Sequence, residues 1–177
     1  MKRRPVIAFF VKTIFASLAV AGLTAVPLAA QDLATPEGAV ILTVSGNVKV
    51  TNANDTAQFD LAMLEAMGGR MVETSTIWTK GVLSFEGVAL DVFVERLGIT
   101  GKTLRATAVN EYSVTIPLSD AVEGGPMIAY RLNGEEMSLR NKGPLWIVYP
   151  FDSDADFRTE VVYSRSIWQL DRIEAMD

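Results

Sequence analysis

The residue types that carry most enzyme chemistry are missing from this sequence of 177 residues, which has no cysteine and no histidine. That composition removes thiol nucleophiles, imidazole bases, His-ligated haem, conventional zinc centres and the Ser-His-Asp triad. Carboxylates, cations, hydroxyls and aromatic rings are what remain. Glu111 stands beside Tyr112 at a strand end, where a carboxylate can act as acid or base in a cleft; without a partner in view, an exposed turn carboxylate is the weightier reading. Asp152, Asp154 and Asp156 have the spacing that opens an EF-hand loop. The sixth position, however, is Phe157 rather than Gly and the twelfth is Tyr163 rather than Glu, which favours a solvated acidic turn. Arg105, Arg131, Arg140, Lys142, Arg158 and Arg165 supply cations, and surface pairing with the many carboxylates competes with any anion-binding role. Trp78, Tyr112, Trp146 and Trp168 can line an apolar pocket, although core packing is the commoner fate of such rings.

These side chains are positioned by a block running from Asn110 to Pro150. Tyr112–Pro117 alternates polar and apolar residues with β-branched side chains and reads as a strand that Pro117 ends. Met127–Leu132 is a second strand, followed by Asn133-Gly134, the dipeptide of a tight hairpin whose two central residues need positive φ. Gly143-Pro144 breaks the chain, and Leu145–Tyr149 is an apolar run long enough for a buried strand. Upstream, Ala39–Val44 and Val48–Thr51 flank Ser45-Gly46-Asn47, which predicts a hairpin or tight corner. Asp60 caps a short helix with Leu61, Leu64 and Met67 on one face, stopped at Gly68-Gly69. Met71–Trp78, Val82–Phe85 and Leu104–Val109 read as strands. Leu90, Phe93, Val94 and Leu97 fall on one helical face that Gly98 terminates. A short strand over Val161–Tyr163 and a closing segment, Ile167–Ile173, with Trp168 half buried, complete the pattern.

The ordered set Tyr112, Ile116-Pro117, Asp120-Ala121, Ala129-Tyr130, Asn133-Gly134-Glu135, Gly143-Pro144-Leu145, Val148 and Pro150 resembles the core of the molybdopterin-binding oxidoreductase domain. That is the fold of sulfite oxidase, assimilatory plant nitrate reductase and their bacterial periplasmic relatives. Gly87-Val88, Leu90 and Leu97-Gly98 resemble the family's upstream segment, and Phe59-Asp60 with Leu61 and Leu64 recurs there as packing residues. The likeness runs from about Val40 to Ile173. It implies an α+β fold, a mostly β single domain with two short helices. In that family molybdenum is held by the pterin dithiolene and one cysteine thiolate, at a strand end that corresponds here to Ser75, Thr76 and Ile77. A hydroxyl is a hard donor of high pKa and replaces a soft thiolate poorly. Relatives also commonly carry an Arg at the position of Trp146, suited to the cofactor's phosphate. The resemblance places Arg140 and Lys142 near the cofactor, and Arg165 joins them in an expected anion-binding cluster. Thr76, Tyr112, Arg140, Lys142 and Arg165 are thus the candidate cofactor-pocket residues. No metal ligand is expected, and the catalytic residue is unassigned.

Lys2, Arg3 and Arg4, a largely apolar Val6–Val26 and Leu28-Ala29-Ala30 before Gln31 predict a signal peptide over residues 1–30, with the domain over 31–177. A single membrane anchor is the competing reading. The absence of cysteine excludes a lipoprotein, and Arg3-Arg4 followed by Pro5, Val6 and Ile7 only faintly resembles a twin-arginine signal. The expected location is periplasmic or secreted. Four of the 16 basic residues and none of the 21 acidic ones precede Gln31, so the remainder carries twelve positive and twenty-one negative side chains, net −9. A domain this acidic is a poor partner for nucleic acid. Its length suits one core, without need of disulfides.

Three functions follow. The first is a non-catalytic binding or sensory accessory module on a scaffold that lost its metal thiolate. It would take an anionic or aromatic small molecule, or present a surface to a membrane-bound sensor or redox partner. The second is a molybdopterin-dependent oxidoreductase whose cofactor is held without a protein thiolate, with Thr76 or water completing the metal's shell. The third is a structural or assembly protein. The first is favoured, with no bound cofactor expected and molybdopterin the one that the resemblance admits.

Overall fold

The computed structural model describes residues 33–177; the signal-peptide expectation lies outside them. Within the described residues ten strands form one sheet, with the path β2-β1-β10-β9-β7-β4-β3 and three strands off it: β5 pairs β10 and β6, and β8 pairs β7. The strands are β1 (Leu42–Gly46), β2 (Ala57–Phe59), β3 (Arg70–Ser75), β4 (Val82–Ala89), β5 (Thr103–Ala108), β6 (Ser113–Pro117), β7 (Met127–Leu132), β8 (Glu135–Glu136), β9 (Leu145–Val148) and β10 (Trp168–Met176). Three helices accompany them, α1 (Leu61–Ala66), α2 (Leu90–Leu97) and α3 (Glu160–Arg165), where the sequence pattern predicted two. The mostly β, α+β single domain is otherwise the one expected.

Periodicity explains the elements that position the centre. Every residue of β9 is buried, so an unbroken apolar run, not alternation, marks it as a strand covered on both faces. β7 ends at Leu132, and Asn133 (φ 52°) and Gly134 (φ 83°) make the tight turn into β8. Leu90, Phe93 and Leu97 of α2 are fully buried, and Gly98 closes the helix in the left-handed conformation, donating to Glu95 O. Asp60 caps α1 through Oδ1, which accepts from Met63 N at 2.9 Å. Its Oδ2 accepts from Gly38 N at 2.7 Å and Glu37 N at 2.9 Å, so one carboxylate fastens the segment before β1 to α1.

The strand expected over Met71–Trp78 ends at Ser75 and that over Val82–Phe85 runs on to Ala89, and two further segments differ in type from the sequence pattern. Val48–Thr51 is not a strand: β1 pairs antiparallel with β2 and parallel with β10, while Lys49 N and Val50 N both donate to Leu97 O at the end of α2. A helix C-terminus has carbonyls to spare and takes the donors a hairpin would have used. Val161–Tyr163 belongs to α3. Thr159 Oγ1 accepts from Val162 N at 3.3 Å and Ser164 Oγ donates to Val161 O at 2.6 Å, so local side-chain bonds override the β-branched pair Val161-Val162.

β10 has more partners than one strand edge can serve. β5 runs along one side from Thr103 to Ala108; on the other, β9 pairs at Trp168 and Leu170, and β1 takes over from Arg172 to Ala175. The changeover coincides with a register shift and with Gln169 at φ 55°.

Candidate functional site

The end of β3 is tied to the loop after β9. Ser75 donates to Asp152 through its backbone N–H at 2.5 Å and its hydroxyl at 2.8 Å, and Asp152 N donates to Thr74 Oγ1 at 3.0 Å. The Ser75 N–H, then the Ser75 hydroxyl, hold the Asp152 carboxyl below the usual aspartate range. Asp152 therefore serves as a clasp, and Asp154 accepts from Asp156 N in a short 3-10 turn. One residue past Ser75, Thr76 is 9 % exposed, and its Oγ1 is shared with Thr79 Oγ1 at 2.7 Å and accepts from Trp78 N at 3.1 Å.

That turn seats Trp78 in an aromatic cluster. Its ring lies 5.4 Å from Trp168 at 72°, 5.8 Å from Tyr163 at 87° and 6.0 Å from Trp146 at 60°. Trp146 has no exposed surface, stands edge-on to Phe85 at 5.3 Å, and donates through Nε1 to Ser166 Oγ at 3.2 Å; Ser166 Oγ in turn donates to Ile147 O. An indole with its one polar atom satisfied is a core residue.

Against this cluster opens a cleft of about 550 Å³, whose walls include Ile77, Trp78, Tyr112, Tyr163 and Trp168, with Asn110, Glu160 and Gln169 among the polar groups. Among the described residues no Lys or Arg is part of the lining. Lys142 stands just outside it, with Nζ 4.4 Å from the Trp168 ring centroid and 5.5 Å from that of Trp146. It lines an adjoining cavity of about 350 Å³ with Arg140, Thr79, Glu135 and Glu136.

The candidate residues thus separate. Tyr112, 59 % exposed, is at the cleft. Thr76 lies behind its wall, with its hydroxyl engaged. Arg140 and Lys142 share the second cavity. Arg165 is elsewhere: its Nη1 is 2.8 Å from Asp120 Oδ2, the atom to which Tyr149 Oη donates at 2.6 Å. The expected cluster of Arg140, Lys142 and Arg165 is not formed, because Arg165 has an acidic partner of its own. Burial, then the Asp120 carboxylate, push the Tyr149 phenol far above its ordinary range, so it stays a donor. Glu111 forms a surface pair with Arg172 at 2.7 Å and faces no cleft partner. The sequence pattern missed Glu160 and Tyr163, three residues apart on α3. That spacing puts both on one helical face, a signal hidden by reading the segment as a strand.

Residues 42–153 match the family model of the oxidoreductase molybdopterin binding domain. The chain belongs to that family. No curated protein matches the sequence. Membership gives the family's fold, and the donor set decides how its cofactor would fit. At the strand end where a thiolate is expected, the family member described here has two hydroxyls already spent on Asp152, Thr79 and Trp78 N. No group of three or more Asp or Glu able to hold a metal occurs among the described residues. At the position where the resemblance implies an Arg for the cofactor's phosphate, Trp146 is fully buried among aromatic rings. These residues do not fit a molybdenum–thiolate centre.

Proposed function

We propose that this domain retains the family's fold as an exported binding module, taking a small molecule in the aromatic cleft, and does not carry out metal–thiolate redox chemistry. The observation that carries this reading is the wall where a thiolate would stand: Thr76 Oγ1 is committed to Thr79 and Trp78 N, and Trp78 faces the cleft instead. A cleft of about 550 Å³ falls within the roughly 300–1,000 Å³ range of small-molecule pockets. The basic start and apolar stretch before Gln31 support export to the periplasm or beyond. A bound ligand would alter the rim formed by Ile77 and Tyr112, both exposed, and so present its state to a membrane-bound sensor or redox partner.

Elemental analysis and pterin fluorescence of protein purified from its native compartment test the reading. The expected result is no stoichiometric molybdenum and no pterin signal. One equivalent of molybdenum retained through dialysis would make the domain a cofactor-bearing oxidoreductase and overturn the proposal.

A further inference from the structure

The cleft's shape and charge define the chemistry of its ligand. A planar ring is held best between parallel faces, whereas Trp78 is turned 87° from Tyr163 and 72° from Trp168. Rings at such angles form a corner, which encloses a compact, rounded group. Aromatic faces carry negative potential and attract ammonium groups, the more so when apolar substituents make the cation cheap to dehydrate. Among the described residues of the lining Glu160 is the one carboxylate and no Lys or Arg is present, and the sequence from Gln31 onward carries a net charge of −9. Among the described lining residues an anion would meet a carboxylate and aromatic rings but no Lys or Arg. The cluster already holds one ammonium: Lys142 Nζ lies over Trp168 and Trp146 from the adjoining cavity.

We infer that the cleft binds an organic cation, a quaternary or N-alkylated ammonium with apolar substituents, held in the corner of Trp78, Tyr163 and Trp168 and neutralised by Glu160. The inference rests on the binding-module reading and adds the ligand's charge. Lys142 then acts as a brake, since its charge sits on the same ring system and repels an incoming cation.

Three probes of similar size separate the terms in calorimetric titrations of the purified domain: benzyltrimethylammonium, benzyl alcohol and phenylacetate. The cation is expected to bind on the order of tenfold more tightly than the alcohol, and phenylacetate more weakly than either. Glu160→Gln should weaken the cation about fivefold and leave the alcohol unchanged. Lys142→Met, which keeps the stem and removes the charge, should tighten it. Tyr112→Ala, at an exposed rim position, should weaken the cation without disturbing the fold. Equal or tighter binding of benzyl alcohol or phenylacetate would overturn the cationic assignment and leave the binding module standing. So would weaker cation binding by Lys142→Met. Failure of all three probes to bind would remove both.

Discussion

Trp146 Nε1 has a single acceptor, Ser166 Oγ, and the ring is enclosed by Phe85, Trp78 and Trp168. Trp146→Arg, which installs the residue that the resemblance implies, would bury a guanidinium where the indole's hydrogen-bond partner is a neutral hydroxyl. A loss of roughly 3–5 kcal/mol is expected, the scale for an unpaired buried charge. Urea unfolding measures it, and a variant as stable as the parent would mean that the site still has room for a cation. Asp60 gives a prediction in pH. The Gly38 N–H, then those of Met63 and Glu37, hold its carboxyl below the usual range. A depressed folded pKa contributes stability that is complete above the unfolded value of about 3.9 and is lost as pH falls through the folded value. Asp60→Asn keeps a cap acceptor but not the charge. Its urea midpoint should therefore fall less than the parent's on acidification, and superimposable midpoint–pH curves would contradict this account.

At the level of elements, Gly87 shows how closely β4 and β7 approach. A Cβ there would lie 2.1 Å from Ile128 O and 2.6 Å from Ala129 Cα, beside the register shift between Glu86 and Gly87. Gly87→Ala is expected to yield little folded protein, read by circular dichroism and soluble yield, because both obstacles are backbone. Tyr149→Phe removes the bond to Asp120 that joins β9 to the turn after β6 and, through Arg165, to α3. It should cost about 1–2 kcal/mol in urea unfolding. Elements fixed by short-range chemistry were legible in the sequence: β7 to the residue, the Asn133-Gly134 turn, α2 with its Gly98 cap. Those that depend on distant partners were not. Lys49 and Val50 have strand-like neighbours, yet their donors go to a carbonyl of α2. The same limit governed the site. Trp78, Tyr112 and Trp168 could be picked out as pocket aromatics, and the resemblance located the strand end at Thr76. That Arg165 would choose Asp120, forty-five positions earlier, is a tertiary fact no local pattern carries.

Across the whole molecule, β10 decides when the sheet becomes complete. Residues 168–176 separate β5 from both β9 and β1, so until they arrive three earlier strands keep unsatisfied edges, the usual template for intermolecular pairing. A chain truncated after Ile167 is expected to elute as aggregate in size-exclusion chromatography, whereas loss of a peripheral strand such as β8 should be tolerated. In a growing polypeptide this keystone emerges after every strand that it joins. Before that point the open edges of β1, β5 and β9 are exposed to neighbouring chains, so refolding yield should fall with protein concentration more steeply than expected for a sheet closed by local hairpins.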